Sequence, residues 1–284
     1  NTFGTSAITA LTAQNTLGVT GVHAAPPEFV LAQIDAVLAD FEVQAIKTGM
    51  LFSVEIIEVV AKRMADYQGV LVVDPVMIAK GGASLLQQQA VAAMRSQLLP
   101  VATVITPNIP EAEVLSGLKI ATVADMAAAA QVLLDLGVKN VVMKGGHSQE
   151  VLARDYVFLA DGRRFSMATP RIDTPNTHGT GCTFSAALTA FVAQGLALPE
   201  AMVEAKRFIH LGIVHDLKLG HGHGPTNHFA YQQQKGECEV DCVWAGAIET
   251  VFHHGQPRHG RRFTGRFKRV GASLKRRHYL VSMA

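Results

Sequence analysis

Short, continuously apolar runs alternate along this chain with longer segments of helical period, and that alternation admits few folds. A run such as Val70 to Val73 has no polar face. Both of its sides must be covered, as in a parallel strand with helices above and below the sheet. Glu42 to Lys47 reads as a strand. Behind the N-cap candidate Ser53, the segment Val54 to Tyr67 sets Ile56, Ile57, Val60 and Met64 on one helical face, and Gln68-Gly69 ends it. Gln87 to Leu99 reads as a helix stopped by Pro100, and Ala102 to Thr106 as a strand. Thr122 caps a helix through Leu136 with Asp125 near its first turn; Gly137 closes it and Asn140 to Lys144 follows as a strand. The order then changes. Asp155 to Leu159 and Arg164 to Ala168 flank the turn residues Asp161-Gly162 and form an antiparallel hairpin at a sheet edge. Two helices come next, one opening at Gly179-Thr180-Gly181-Cys182 and one at Pro199 that runs to about His215. The class is α/β, a mostly parallel sheet with helices on both faces.

With 284 residues, 49% apolar and 17% charged, the chain can bury a large core, which excludes disorder for most of its length. Cys182, Cys238 and Cys242 are too few for a disulfide framework, so a reducing, cytoplasmic setting is expected. Residues 1–27 carry no charge, yet they lack the basic start of a signal peptide. The uncharged stretch Thr174 to Pro199 holds Asn176, His178 and Gln194, and so cannot cross a bilayer.

Charge divides the chain. Residues 1–231 hold 15 Lys and Arg against 19 Asp and Glu, whereas residues 232–284 hold 10 against 4. Val251 to Ala284 carries nine basic residues, no acid and no helical apolar period. The boundary near Tyr231 is therefore read as real, with residues 232–284 a basic, disordered tail. Such a run could meet phosphate backbones by charge alone. A shift of reading frame near Gln234 accounts for it better than a nucleic-acid module does, so nucleic acid is not the expected partner. Cys238, Cys242, His253 and His254 match no common zinc spacing.

The densest chemical signal is Asn176-Thr177-His178-Gly179-Thr180-Gly181-Cys182-Thr183. Glycines before an apolar helix let successive amides point at one spot, and the helix N-terminus adds positive potential, so an anion is expected there. The same field should lower the Cys182 thiol below its usual value of roughly 8.5, making a thiolate able to take a proton from an alcohol. Gly-x-Gly alone also fits a plain glycine-rich helix start with a buried thiol. In Thr106-Pro107-Asn108-Ile109-Pro110-Glu111, Asn108 and Glu111 offer hard oxygens for Mg²⁺ at a strand's carboxyl end, although Asn-Pro turns are also ordinary helix caps. Lys47-Thr48-Gly49-Met50, Asp74-Pro75-Val76-Met77 and Lys144-Gly145-Gly146-His147 end other strands on the same side and could converge on one crevice.

Together with Thr12 to Thr16 and the Gly-His-Gly-His-Gly-Pro-x-Asn-His run at 220–228, these motifs make residues 1–231 resemble the hydroxymethylpyrimidine kinase/phosphomethylpyrimidine kinases of thiamine biosynthesis, in the ribokinase-like family. The resemblance implies a three-layer fold, ATP and Mg²⁺ as cofactors, and an aminopyrimidine substrate phosphorylated twice, alcohol to monophosphate to diphosphate. By the same resemblance Gly179, Thr180 and Gly181 stabilise the migrating phosphoryl group, Cys182 is the base, and Glu111, Asn108 and Asp74 hold Mg²⁺. Lys144, Thr177 and Lys206 contact the nucleotide or its phosphates, Lys206 being equally readable as part of a solvated helix face. Gln14 bonds the aminopyrimidine, and Met50 and Val76 pack on its ring. Two acceptors of different charge call for an open mouth beside the anion site. A homodimer is compatible with the resemblance.

The family's first strand, its Gly/Ser-rich loop and the helix after them normally precede the point where this chain begins. The expected sheet accordingly lacks a central strand and exposes edges, with activity lowered or lost. Two alternatives follow: a pyridoxal-type kinase, which phosphorylates a hydroxymethyl on a similar ring, and an inactive chain that only binds a ligand or partner.

Overall fold

The structure is a computed structural model and describes residues 2–77, 88–146, 151–233, 238, 240–245 and 279–283. The chain begins with β1 (Phe3–Ala7), β2 (Ala10–Asn15), β3 (Gly18–Ala24) and α1 (Pro27–Asp40). Alternation then sets in with β4 (Ala45–Thr48), α2 (Val54–Met64), β5 (Val70–Val73), α3 (Gln88–Ala93), β6 (Val104–Ile105), α4 (Ile109–Ser116), α5 (Val123–Asp135) and β7 (Asn140–Lys144). The hairpin β8 (Leu152–Phe158) and β9 (Arg164–Pro170) leads to α6 (Thr180–Ala193), α7 (Leu198–Val214) and the short α8 (Ala230–Gln233). β10 (Asp241–Ala245) and β11 (Tyr279–Met283) come last.

One nine-stranded sheet runs in the order β1-β11-β4-β5-β6-β7-β8-β9-β10. It is parallel from β1 to β7 and antiparallel from β7 to β10. β2 and β3 form a separate two-stranded sheet. The continuous apolar runs are explained by two cores. Leu71, Val73, Ile105, Val141 and Met143 pack into one, with Ile34, Ile57, Val60, Leu115 and Leu133 from α1, α2, α4 and α5. Val72, Val104 and Val142, one residue out of phase, pack into the other with Phe184, Leu188, Met202 and Ile209 from α6 and α7. Each such side chain contributes about 1.5–3 kcal/mol of burial, and alternation sends successive residues to opposite faces.

Local signals are met where they were expected. The Ser53 side chain accepts from the Ile56 amide at the start of α2, and Thr122 with Asp125 forms a capping box at the start of α5. The helix read from residue 87 is described from Gln88 and ends in a π-wound stretch, Met94–Leu98, and a 3₁₀ turn, Leu99–Val101. Among the described residues no helix is long and apolar enough to cross a membrane.

The far end of the chain differs from the expected disordered tail. Residues 241–245 pair with β9, and residues 279–283 lie in parallel between β1 and β4. The position expected to be empty is thus filled by β11. Tyr279-Leu280-Val281-Ser282-Met283 is a short apolar run of the same kind as β5, masked in the sequence by the basic stretch before it. In the basic segment His253 and His254 fall outside the described residues, as does His147 in the main body.

Candidate active site

The parallel strands β4, β5, β6 and β7 end side by side, and the residues that follow them meet the first turn of α6. Asp74, just past β5, is 1% exposed. Its Oδ1 accepts from Lys144 Nζ at 2.9 Å and Thr106 Oγ1 at 3.2 Å, and its Oδ2 from Ser185 Oγ at 3.1 Å. Burial opposes its charge, but Lys144 and Lys47, with the bonds from Lys144 and Ser185, hold the carboxyl below the usual range. For Lys144 burial again acts first, and the charges of Asp74 and Glu111 overcome it and push the ammonium up. The centre is therefore a buried cation–anion arrangement that stays ionised.

Glu111 and Asn108 open α4. Asn108 Oδ1 accepts the Glu111 amide at 2.9 Å, and Glu111 Oε2 accepts the Asn108 amide at 2.8 Å. This is a capping box, and it engages one lone pair of the Asn108 oxygen, leaving the second for a cation or its water. Glu111 is different. Burial, then the Asp74 charge, outweigh Lys144 and the Asn108 and Met77 amides and push its carboxyl up to about 7. A buried acid short of positive charge fits a hard divalent cation, with Asp74 as the second negative charge close by. Asp74 itself has both oxygens engaged. Among the described residues no group of three or more His, Cys, Asp or Glu stands arranged around a metal position.

Gly179 caps α6 in the left-handed region, φ +76°, which a side chain would strain. A Cβ on Gly181 would lie 3.0 Å from Lys144 Nζ, so glycine there lets the ammonium rest against the helix N-terminus. A Cβ on Gly49 would meet Lys47 Nζ at 2.7 Å. Cys182, in the first turn of α6, is exposed. Desolvation, then Asp74, push its thiol up against the pull of Lys47 and Lys144, with Glu111 also raising it. The expectation of a lowered thiol is reversed, because two buried carboxylates and poor solvation outweigh the helix field and the lysines. The predicted company is nonetheless present: Cys182 feels Asp74, Lys144 and Glu111 together.

Gln14 is exposed on β2, with Nε2 3.2 Å from His178 Nε2. Thr9 Oγ1 donates to the Met50 carbonyl at 2.6 Å, tying the start of the β2–β3 hairpin to the 47–50 loop. Met50 and Val76 are half-buried. Thr177 lies two residues before Gly179, its amide donating to the Pro175 carbonyl at 2.9 Å. Gly220 and Gly222 pack their backbone on Thr16: His223 N donates to the Thr16 carbonyl at 2.8 Å, and a Cβ on Gly222 would fall 2.2 Å from that oxygen. Beside this loop lies an open cleft of about 620 Å³, lined by Asp173, Thr174, Asn176, Asp216, Lys218 and His221 among others.

Lys206 does not lie on a solvated face. It is 6% exposed, and its Nζ donates to Asp155 Oδ2 at 2.7 Å inside the protein. Sequence reasoning brought Lys47 to the crevice without a specific role and assigned none to Thr106, Ser185 or Asp155. Ser185 was within reach, being one helical turn beyond Cys182 on the same face. The others depend on which strands become neighbours.

A glycine-lined helix N-terminus, a thiol, paired buried lysines and carboxylates at the carboxyl ends of parallel strands define an α/β phosphotransferase of the ribokinase-like class. Comparison with known proteins narrows this. The chain belongs to the phosphomethylpyrimidine kinase family, whose sequence profile matches residues 1–227. It is 57% identical over 235 residues to the hydroxymethylpyrimidine/phosphomethylpyrimidine kinase of Haemophilus influenzae, covering 81% of this chain and 87% of that one. Among solved structures, the Bacillus subtilis pyridoxal kinase in an ADP complex is 39% identical with a TM-score of 0.75, covering 82% of this chain and 88% of that one. The phosphomethylpyrimidine kinase of Clostridium difficile is 39% identical with a TM-score of 0.64, covering 73% and 85%.

Proposed function

We propose that this chain transfers the γ-phosphoryl group of ATP to the hydroxymethyl oxygen of 4-amino-5-hydroxymethyl-2-methylpyrimidine, and then to the resulting monophosphate, in thiamine biosynthesis. The observation that carries the reading is the meeting of Cys182, Lys144, Asp74 and Glu111 at the first turn of α6. The amides of residues 179–181 receive the phosphoryl oxygens, and Lys144, pinned by Asp74, faces the same turn. The acceptor oxygen bonds to phosphorus while the bond to the β-phosphate oxygen breaks and ADP departs. The hydroxyl proton passes to the Cys182 sulfur. In a loose transition state that proton leaves late, so a thiol with a raised pKa still serves, and the more of it is ionised the faster the reaction. Gln14, Met50 and Val76 take the ring, and the cleft lined by Thr174, Asn176 and Lys218 has room for the nucleoside of ATP. A magnesium ion at Glu111 supplies charge neutralisation for the phosphates when bound. The exposed Leu11 and Leu17 of the β2–β3 hairpin, at 62% and 71%, support pairing of two copies over that surface.

The test is phosphoryl transfer by the whole chain, with the pyrimidine and pyridoxal offered in competition and products followed by phosphorus NMR. Turnover of the pyrimidine to mono- and diphosphate is expected. Cys182→Ala should lower kcat by about 10²–10⁴ with little change in nucleotide affinity. The wild-type rate should climb with pH into the alkaline range, a rise that Cys182→Ala abolishes. Preference for pyridoxal would move the chain to the second kinase class. Binding without turnover would make it a ligand-binding protein.

A further inference from the structure

Lys206 and Asp155 form an ion pair whose side chains are 8% and 7% exposed, with Nζ 2.7 Å from Oδ2. A buried pair of this kind adds little to stability that two well-packed apolar side chains would not, because desolvation consumes most of the attraction. Its second contact gives it another use. Asp155 Oδ1 accepts the Gly145 amide at 3.0 Å, and Gly145 follows the phosphate-facing Lys144. That turn has no slack: a Cβ on Gly145 would lie 2.0 Å from the Arg154 carbonyl, and Arg171 Nη1 donates to the Gly146 carbonyl at 2.8 Å. In the sheet Asp155 stands directly opposite Lys144, whose own amide donates to the Pro107 carbonyl at 2.8 Å. One carboxylate is thus shared between an ammonium rising from α7 and the amide that ends β7.

We infer that Lys206 and Asp155 are positioning residues: the pair clamps the Gly145 amide and thereby fixes the turn that carries Lys144 at the phosphate seat. The inference rests on the proposed role of the 177–182 loop and Lys144, and it replaces a nucleotide contact for Lys206 with an action through Asp155 and Gly145. A purely structural pair would affect stability alone. A positioning pair also sets catalytic geometry, where a misplacement of about 1 Å costs on the order of 10² in rate.

Two double variants of the full chain separate these roles. Lys206→Met/Asp155→Leu removes both charges and the acceptor for Gly145, whereas Lys206→Met/Asp155→Asn removes both charges and keeps an acceptor. Melting temperature, kcat, the KM for ATP and exchange of the Gly145 amide by NMR are read on each. The Leu variant should melt within about 5 °C of the wild type, exchange Gly145 rapidly and lose about 10- to 100-fold in kcat. The Asn variant should retain Gly145 protection and kcat within a few fold. Equal kcat and equal Gly145 exchange in the two variants would overturn the inference. Should the Leu variant not fold, the wild-type chain decides: Gly145 exchanging as fast as an unbonded loop amide overturns the clamp, and exchange only through global unfolding sustains it. If the wild-type chain transfers no phosphate to the pyrimidine, the proposed function fails, while the exchange measurements still judge the clamp.

Discussion

Glu111 carries two demands that pull against each other. Its carboxylate closes the capping box of α4, yet burial and the Asp74 charge raise it to about 7, from the 4.5 of a free glutamate. Above the lower value the unfolded chain has released a proton that native Glu111 still holds. Unfolding therefore releases a proton, and stability declines as pH rises until the native group also ionises near 7. The shift is worth up to about 3 kcal/mol. Thermal melts from about pH 5 to pH 8 should show this decline in the wild type and a flatter profile in Glu111→Gln, with added Mg²⁺ restoring wild-type stability at the upper end. A flat wild-type profile would remove Glu111 as the group in need of a cation. The motif around Glu111 was legible in the sequence because capping chemistry is local. The titration of Cys182 and Glu111 was not, because it is set first by burial in the finished fold and then by Asp74 and Lys144, with Lys47 also acting on Cys182, all of which arrive from other strands.

Elements were legible where period and caps agreed. The runs 70–73 and 140–144 needed no revision, since a strand covered on both faces is apolar at every position. The strand read from Glu42 begins at Ala45, and the 155–168 hairpin extends outward to Leu152 and Pro170, because pairing partners rather than composition set strand ends. Lys206 was ambiguous since a lysine on an amphipathic helix is normally solvated, and only the hairpin brings Asp155 beneath it. The start of α6 offers a sharper test of how an element makes the site. At Gly181 an added Cβ would stand 3.0 Å from Lys144 Nζ, the end of a flexible chain, so the fold can accommodate it by moving the ammonium. Gly181→Ala should keep melting within a few degrees of wild type, alanine being the better helix former by about 1 kcal/mol. It should nonetheless lower kcat by about 10-fold or more as Lys144 leaves the phosphate seat. Unchanged turnover would place the ammonium outside the reaction.

At the scale of the molecule, the acceptor half of the site hangs from a strand far away in sequence. Among the described residues β1 reaches the rest of the sheet only through β11, and Met283, fully buried, offers its carbonyl to the Gly49 amide at 2.8 Å in the loop that carries Met50. No local signal could announce this, because parallel pairing between residues 3–7 and 279–283 depends on the closure of the whole sheet. Val281 pairs with Thr5 on one side and Ile46 on the other. Val281→Pro deletes a ladder donor between two covered neighbours, leaving a buried carbonyl unpaired at a cost of about 1–3 kcal/mol. Hydrogen exchange should then quicken in residues 3–7 and 45–48 while residues 140–144 and 152–158 stay protected. The KM for the pyrimidine should rise more than the KM for ATP, since Gln14 and Met50 belong to the elements released and Lys144 does not. Exchange and kinetics equal to wild type would mean that the sheet closes without β11. Equal loss at both substrates would mean that the two halves of the site are held as one body.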